Sequence, residues 1–112
     1  MRELLADERT VFLVAFEGAE PIGFVLAYEL IRRHGLPSQL LVYEVEVVKR
    51  HRRRGVATAL MRELERLARE RSIPEGWVLT DRSNAPAMAF YESVGGVRPH
   101  AETMWEFEYE VD

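Results

Sequence analysis

The spacing of apolar residues changes period along this chain, and each change marks an element. "TVFLVAF", Thr10 to Phe16, is a run of β-branched and aromatic residues that predicts a buried strand. "EGAE" supplies a turn, and "PIGFVLAYEL", Pro21 to Leu30, reads as the returning strand of a hairpin. "IRRHGLPSQ" is polar and broken by Gly35 and Pro37, so a loop is expected there. "LLVYEVEVV", Leu40 to Val48, alternates from Leu41 onward. Leu41, Tyr43, Val45 and Val47 should share one face, and Glu44 and Glu46 the other.

The period then becomes helical. Ala57, Leu60, Met61, Leu64, Leu67 and Ala68 recur with charged residues between them, from about Val56 until Pro74 and Gly76 break the pattern. "WVLT" predicts a short buried strand. "SNAPAMAFYESVGG" predicts a second helix, with Pro86 just inside its start and Gly95 just past its end. "TMWEFEYE" alternates into an expected last strand. Two hairpin strands followed by strand–helix–strand–helix–strand predict an α/β domain: a mixed, mostly antiparallel sheet with helices on its faces.

Composition narrows the chemistry. With 112 residues, one domain spanning residues 1–112 is expected. There is no cysteine, which excludes disulfides, thiolate metal sites and a cysteine nucleophile. His34, His51 and His100 show no ligand spacing, so no metal is expected. No stretch approaches the ~18 apolar residues needed to span a bilayer, and "MRELLADERT" is charged rather than signal-like. A cytoplasmic protein with no membrane partner is expected.

The formal net charge is -4, which argues against a nucleic-acid partner. The positive charge is local: Lys49, Arg50, Arg52, Arg53 and Arg54 fall in one short run that leads into Gly55 and a helix start. A focused cluster suits a compact anion. The first helical amides have no internal acceptor, and a glycine lets a bound group lie against the backbone. Together they describe a phosphate cradle. A solvated basic loop before an amphipathic helix is the competing reading of the same residues.

"EVVKRHRRRGVATALMREL" followed by "TDRSNAPAMAFYESVGG" resembles the Gcn5-related N-acetyltransferase (GNAT) family. Arg52, Gly55 and Ala57 match its phosphate-loop signature. Asn84 and Tyr91, with Gly95 and Gly96 behind, match its second signature. The resemblance implies a GNAT-like fold lacking most of the usual N-terminal elements, with acetyl-CoA as cofactor. It would place the pyrophosphate on the amides of Arg53, Arg54, Gly55, Val56, Ala57 and Thr58, with Arg52 and Asn84 also on the cofactor side. Backbone groups of Val45, Glu46 and Val47 would follow the pantetheine arm, and the Val47 N–H would be the oxyanion donor. Tyr91 would protonate the leaving thiolate, although its apolar neighbours equally suit a core tyrosine.

A base for the amine is the remaining need. Glu44 is preferred and Glu46 is the alternative. Leu79 occupies the position where some family members carry a glutamate. Within the family the chain looks most like the aminoglycoside 3-N-acetyltransferases. The acceptor is expected to be a small-molecule or peptide amine. A non-catalytic module that binds CoA or a nucleotide is the alternative function. The aromatic positions of "TMWEFEYE" on an edge strand predict a homodimer.

Overall fold

The computed structural model describes residues 7–98 and 101–111. Strands β1 (Thr10–Glu17), β2 (Glu20–Leu30), β3 (Gln39–Val47) and β4 (Gly76–Val78) form one sheet in that order. The first three are an antiparallel meander, and β4 lies parallel to β3. A single 3-10 turn, Lys49–His51, leads from β3 to helix α1 (Val56–Glu70), and α2 is Ala85–Ser93. Among the described residues no helix is long and apolar enough to cross a membrane.

Helix α1 lies on one face of the sheet. Leu60 and Leu64, one turn apart, are buried against Val11, Val25, Ala27, Leu40 and Val42, with Ile73 closing the far end. Each such leucine contributes about 2–3 kcal/mol of apolar burial. The opposite side of α1 is solvated and carries ion pairs one turn apart, Arg66 with Glu63 and Glu70, and Arg69 with Glu65.

Helix α1 ends at Glu70, four residues before the proline that the sequence points to. Ser72 takes the left-handed conformation (φ 57°), the Ser72 N–H donates to the Arg69 carbonyl, and the Ile73 N–H donates to Ala68 at 2.8 Å. This is a Schellman cap with serine where glycine is usual, and the buried Ile73 supplies its apolar contact.

Three expectations need correction. First, β3 does not keep one alternation. Ala27 pairs with Val42 but Leu26 pairs with Glu44, so Tyr43 is an extra residue in a β-bulge. Leu40, Val42 and Val45 therefore face α1, and the side chains change phase at Tyr43. Second, the "WVLT" strand is neither so long nor buried. β4 ends at Val78, with Trp77 40% and Leu79 58% exposed, because among the described residues only β3 flanks it. Third, "TMWEFEYE" forms no strand. Residues 102–111 have no regular structure, and Trp105, Phe107 and Tyr109 are exposed. Alternation states which faces a strand would show, but a ladder needs a neighbour, and among the described residues none lies alongside.

Candidate functional site

The start of α1 has an unusual backbone. Gly55, its N-cap residue, sits at φ 81°, and Arg53 sits at φ 64°. No side chain caps this end, and the first turn carries no acid to offset the helix dipole. The first helical bond is Ala59 N–H to the Gly55 carbonyl at 2.9 Å. Among the described residues, the amides of Arg53, Arg54, Gly55, Val56, Ala57 and Thr58 donate to nothing. A Cβ on Gly55 would meet no atom within 4 Å, so the glycine is required by its dihedral, with open space beside it.

The structure divides the basic cluster in two. Arg50 pairs with Glu20, and the buried His51 holds Glu17 at 3.1 Å, both across to the β1–β2 turn. The Arg52 Nε donates to the Val47 carbonyl at 3.0 Å, folding the loop back onto the end of β3. Among the described residues, Lys49, Arg53 and Arg54 have exposed side chains without an anionic partner. Three cations beside six unengaged amides have the donor chemistry that a pyrophosphate requires.

Next to this cradle the sheet forks. β3 and β4 are paired only from Leu40 with Gly76 to Val42 with Val78, and then part. For L-residues in a strand, the face a side chain takes fixes the edge its N–H points to. The Leu40 N–H donates toward β4, to Glu75, and Val45 faces α1 as Leu40 does. The Val45 N–H therefore points into the fork. Val47 follows the same rule: the Val48 N–H bonds back to Ile22 on β2, so the N–H and carbonyl of Val47 lie on the open side. Arg52 takes that carbonyl and leaves the N–H available.

Two clefts meet at the fork and share Val42 and Trp77. One is lined by Leu41, Tyr43, Glu44 and Leu79. The other, on the α1 side, is lined by Met61, Leu64, Val78, Tyr91 and Val94. Glu44 and Tyr91 thus line different clefts, one on each side of the fork. Glu46 is exposed on the same β3 face as Glu44, two residues further along. Burial raises the Tyr91 phenol above its ordinary pKa.

Helix α2 is defined by its ends and has no fully buried residue. The Asn84 Oδ1 accepts from the Ala87 N–H at 3.2 Å, so the asparagine is first a helix cap, with its amide NH₂ left over. Gly95 (φ 96°) and Gly96 form a second Schellman cap, in which the Gly96 N–H donates to the Tyr91 carbonyl at 2.9 Å. A Cβ on Gly96 would lie 2.9 Å from that carbonyl oxygen. Before the helix, hydrogen bonds from the hydroxyl and amide of Ser83 lower the Asp81 carboxyl pKa and tie it into the turn. Leu79 lines the cleft at the position where some family members carry a glutamate, whereas Tyr43 and Trp77 were not expected as cleft residues. For Tyr43 the signal was its place beside the two glutamates, which reads equally as core.

Residues 1–96 match the model of the acetyltransferase (GNAT) family. A streptothricin acetyltransferase from Streptomyces lavendulae is 31% identical over 90 residues, covering 80% of this chain. The chain spans 45% of that enzyme's length. A solved aminoglycoside acetyltransferase from an uncultured soil metagenomic sample is 35% identical, with a TM-score of 0.86 over 99% of this chain and 72% of its own. An aminoglycoside 6'-N-acetyltransferase from Acinetobacter haemolyticus is 26% identical, with a TM-score of 0.81 over 100% of this chain and 78% of its own.

Proposed function

The chain belongs to the acetyltransferase (GNAT) family, and from that premise we propose that it transfers an acetyl group from acetyl-CoA to a primary amine. The observation that carries the reading is the run of six unengaged amides at a left-handed glycine, beside a fork in the sheet. Acetyl-CoA, when bound, supplies a thioester carbonyl open to attack by an amine. The amides from Arg53 to Thr58, with the Arg53 and Arg54 side chains and the Thr58 hydroxyl, receive the pyrophosphate. The N–H groups of Val45 and Val47 receive the arm in the fork, and that of Val47 donates to the carbonyl oxygen as it gains charge. Glu46 lies in this backbone stretch, and the Asn84 NH₂ supports the cofactor from α2.

Glu44 works on the opposite side. Its carboxylate holds the acceptor's ammonium and takes the proton that must leave before nitrogen can attack. Glu46 is next in line for that role. The Tyr91 hydroxyl, approaching from the helix side, gives a proton to the departing thiolate. Because burial raises its pKa, the phenol stays protonated through the neutral range.

The relatives named for streptothricin and aminoglycosides support an amine of a small antibiotic-like molecule as acceptor. We place the enzyme in the cytoplasm as a homodimer. The exposed Trp105, Phe107 and Tyr109 would be covered by a second copy. Light scattering should give twice the monomer mass, and a monomer at high concentration would remove the dimer.

The deciding experiment follows thiol release from acetyl-CoA across a panel of amines that includes streptothricin and aminoglycosides. Release that depends on one amine class establishes the transferase. CoA binding without release for any amine would favour the second reading, a non-catalytic CoA-binding module.

A further inference from the structure

Arg50 and His51 belong to the basic run, but neither faces the proposed phosphate site. Both reach the other way, to the turn between β1 and β2. The His51 Nδ1 lies 3.1 Å from a carboxylate oxygen of Glu17, and Arg50 pairs with Glu20. His51 is the one buried polar or charged side chain of the described residues, whereas Glu17 is exposed. The same loop is tied to β2 by Val48 N–H to Ile22, and the first residue of α1 is seated on β2. A Cβ added at Gly23 would lie 3.2 Å from the Val56 side chain and 3.0 Å from the Glu46 carbonyl oxygen. Two residues past His51, Arg53 holds a left-handed backbone, which a non-glycine residue keeps only where its surroundings over-determine it.

We infer that Glu17 and Glu20 are positioning residues for the cofactor-phosphate loop, with the β1–β2 turn acting as a brace. They hold His51 and Arg50, and these two fix the loop so that Arg53 and Gly55 keep the conformations that turn six amides outward. Neither glutamate touches the cofactor. A carboxylate near a phosphate site would ordinarily weaken it through charge repulsion, but here Glu17 and Glu20 are turned to His51 and Arg50 at the loop's rear. The inference rests on the reading of this loop as the cofactor-phosphate site.

The test titrates CoA by calorimetry into the native chain, Glu17→Ala, Glu17→Gln and the Glu17→Ala/Glu20→Ala double variant, with a melting curve of each without ligand. Both side chains are at least half exposed, so the variants should melt near the native temperature. The double variant should bind CoA roughly three- to tenfold more weakly, the range expected of two pairs whose carboxylates are exposed. Glu17→Gln should bind better than Glu17→Ala, because its amide oxygen can still accept from the His51 ring. Unchanged CoA affinity in the double variant would overturn the brace, as would a Gln variant no better than Ala. If the native chain itself binds no CoA, the phosphate-site reading fails before any variant is compared, and this inference falls with it.

Discussion

Replacing Gly55 by alanine separates backbone conformation from steric room. The residue sits at φ 81°, and a Cβ there meets no atom within 4 Å, so the whole penalty is conformational. Holding an L-residue in the left-handed region costs roughly 1–2 kcal/mol. The lower entropy of the unfolded alanine chain returns about 0.4–1 kcal/mol of that. The net loss is then about 0–1.5 kcal/mol, a shift of a few degrees in melting temperature for a domain of this size. Function should suffer more than stability, because relief of φ toward negative values turns the amides of Gly55 and Val56 away from their common focus. Thermal melting and CoA calorimetry on Gly55→Ala and Gly55→Asn test this. Asparagine tolerates the left-handed region and should keep more of the binding. A stability loss above about 3 kcal/mol in the alanine variant would mean that the open space is filled. CoA binding equal to native would move the pyrophosphate off these amides.

Removing the Tyr91 hydroxyl (Tyr91→Phe) should lower kcat by about 10²-fold, the low end for general acid catalysis, with acetyl-CoA affinity and melting temperature nearly unchanged. Because burial raises the phenol pKa, the native alkaline limb should lie above that of an ordinary tyrosine. The stability linked to the neutral phenol is complete below the unfolded pKa and is lost as pH rises through the folded one. Glu44→Gln should lower turnover more than CoA affinity, and the deficit should shrink toward high pH, where the amine is already neutral; a pH-independent deficit would pass the role to Glu46. Ser72→Gly should stabilise the chain by about 0.5–1 kcal/mol in denaturant melts, since glycine takes φ 57° without strain.

Local signals made the hairpin, α1 and α2 legible. The β-branched run ended at a glycine turn, α1 kept its apolar period over fifteen residues, and α2 was bracketed by Pro86 and Gly95. The bulge was not legible because Leu40 to Tyr43 is apolar at every position and carries no phase. Ser72 gave no sign of a left-handed cap, since serine is not a residue that favours one. In the site, the glycine, the arginines and Tyr91 were readable by type. What each arginine holds was not, because Arg50 finds its partner thirty residues back, at Glu20. The unpaired "TMWEFEYE" shows the limit of alternation, which specifies a face and not a neighbour.

The three rungs between β3 and β4 also bear on how the chain assembles. β1, β2 and β3 pair with their sequence neighbours, whereas Leu40 must find Gly76 across the whole of α1. The meander can form with little loop-closure entropy, but β4 joins only after α1 has docked. So short a parallel pair, followed by a helix with no buried residue, has the least packing to hold it among the described elements and should open first. Amide hydrogens of Val78 and α2 should exchange well before those of Val25 and Ala27. An arm lying in the fork would bridge the late-forming part to the early one, so ligand at about 100 times its Kd should slow that exchange by up to about 2.7 kcal/mol.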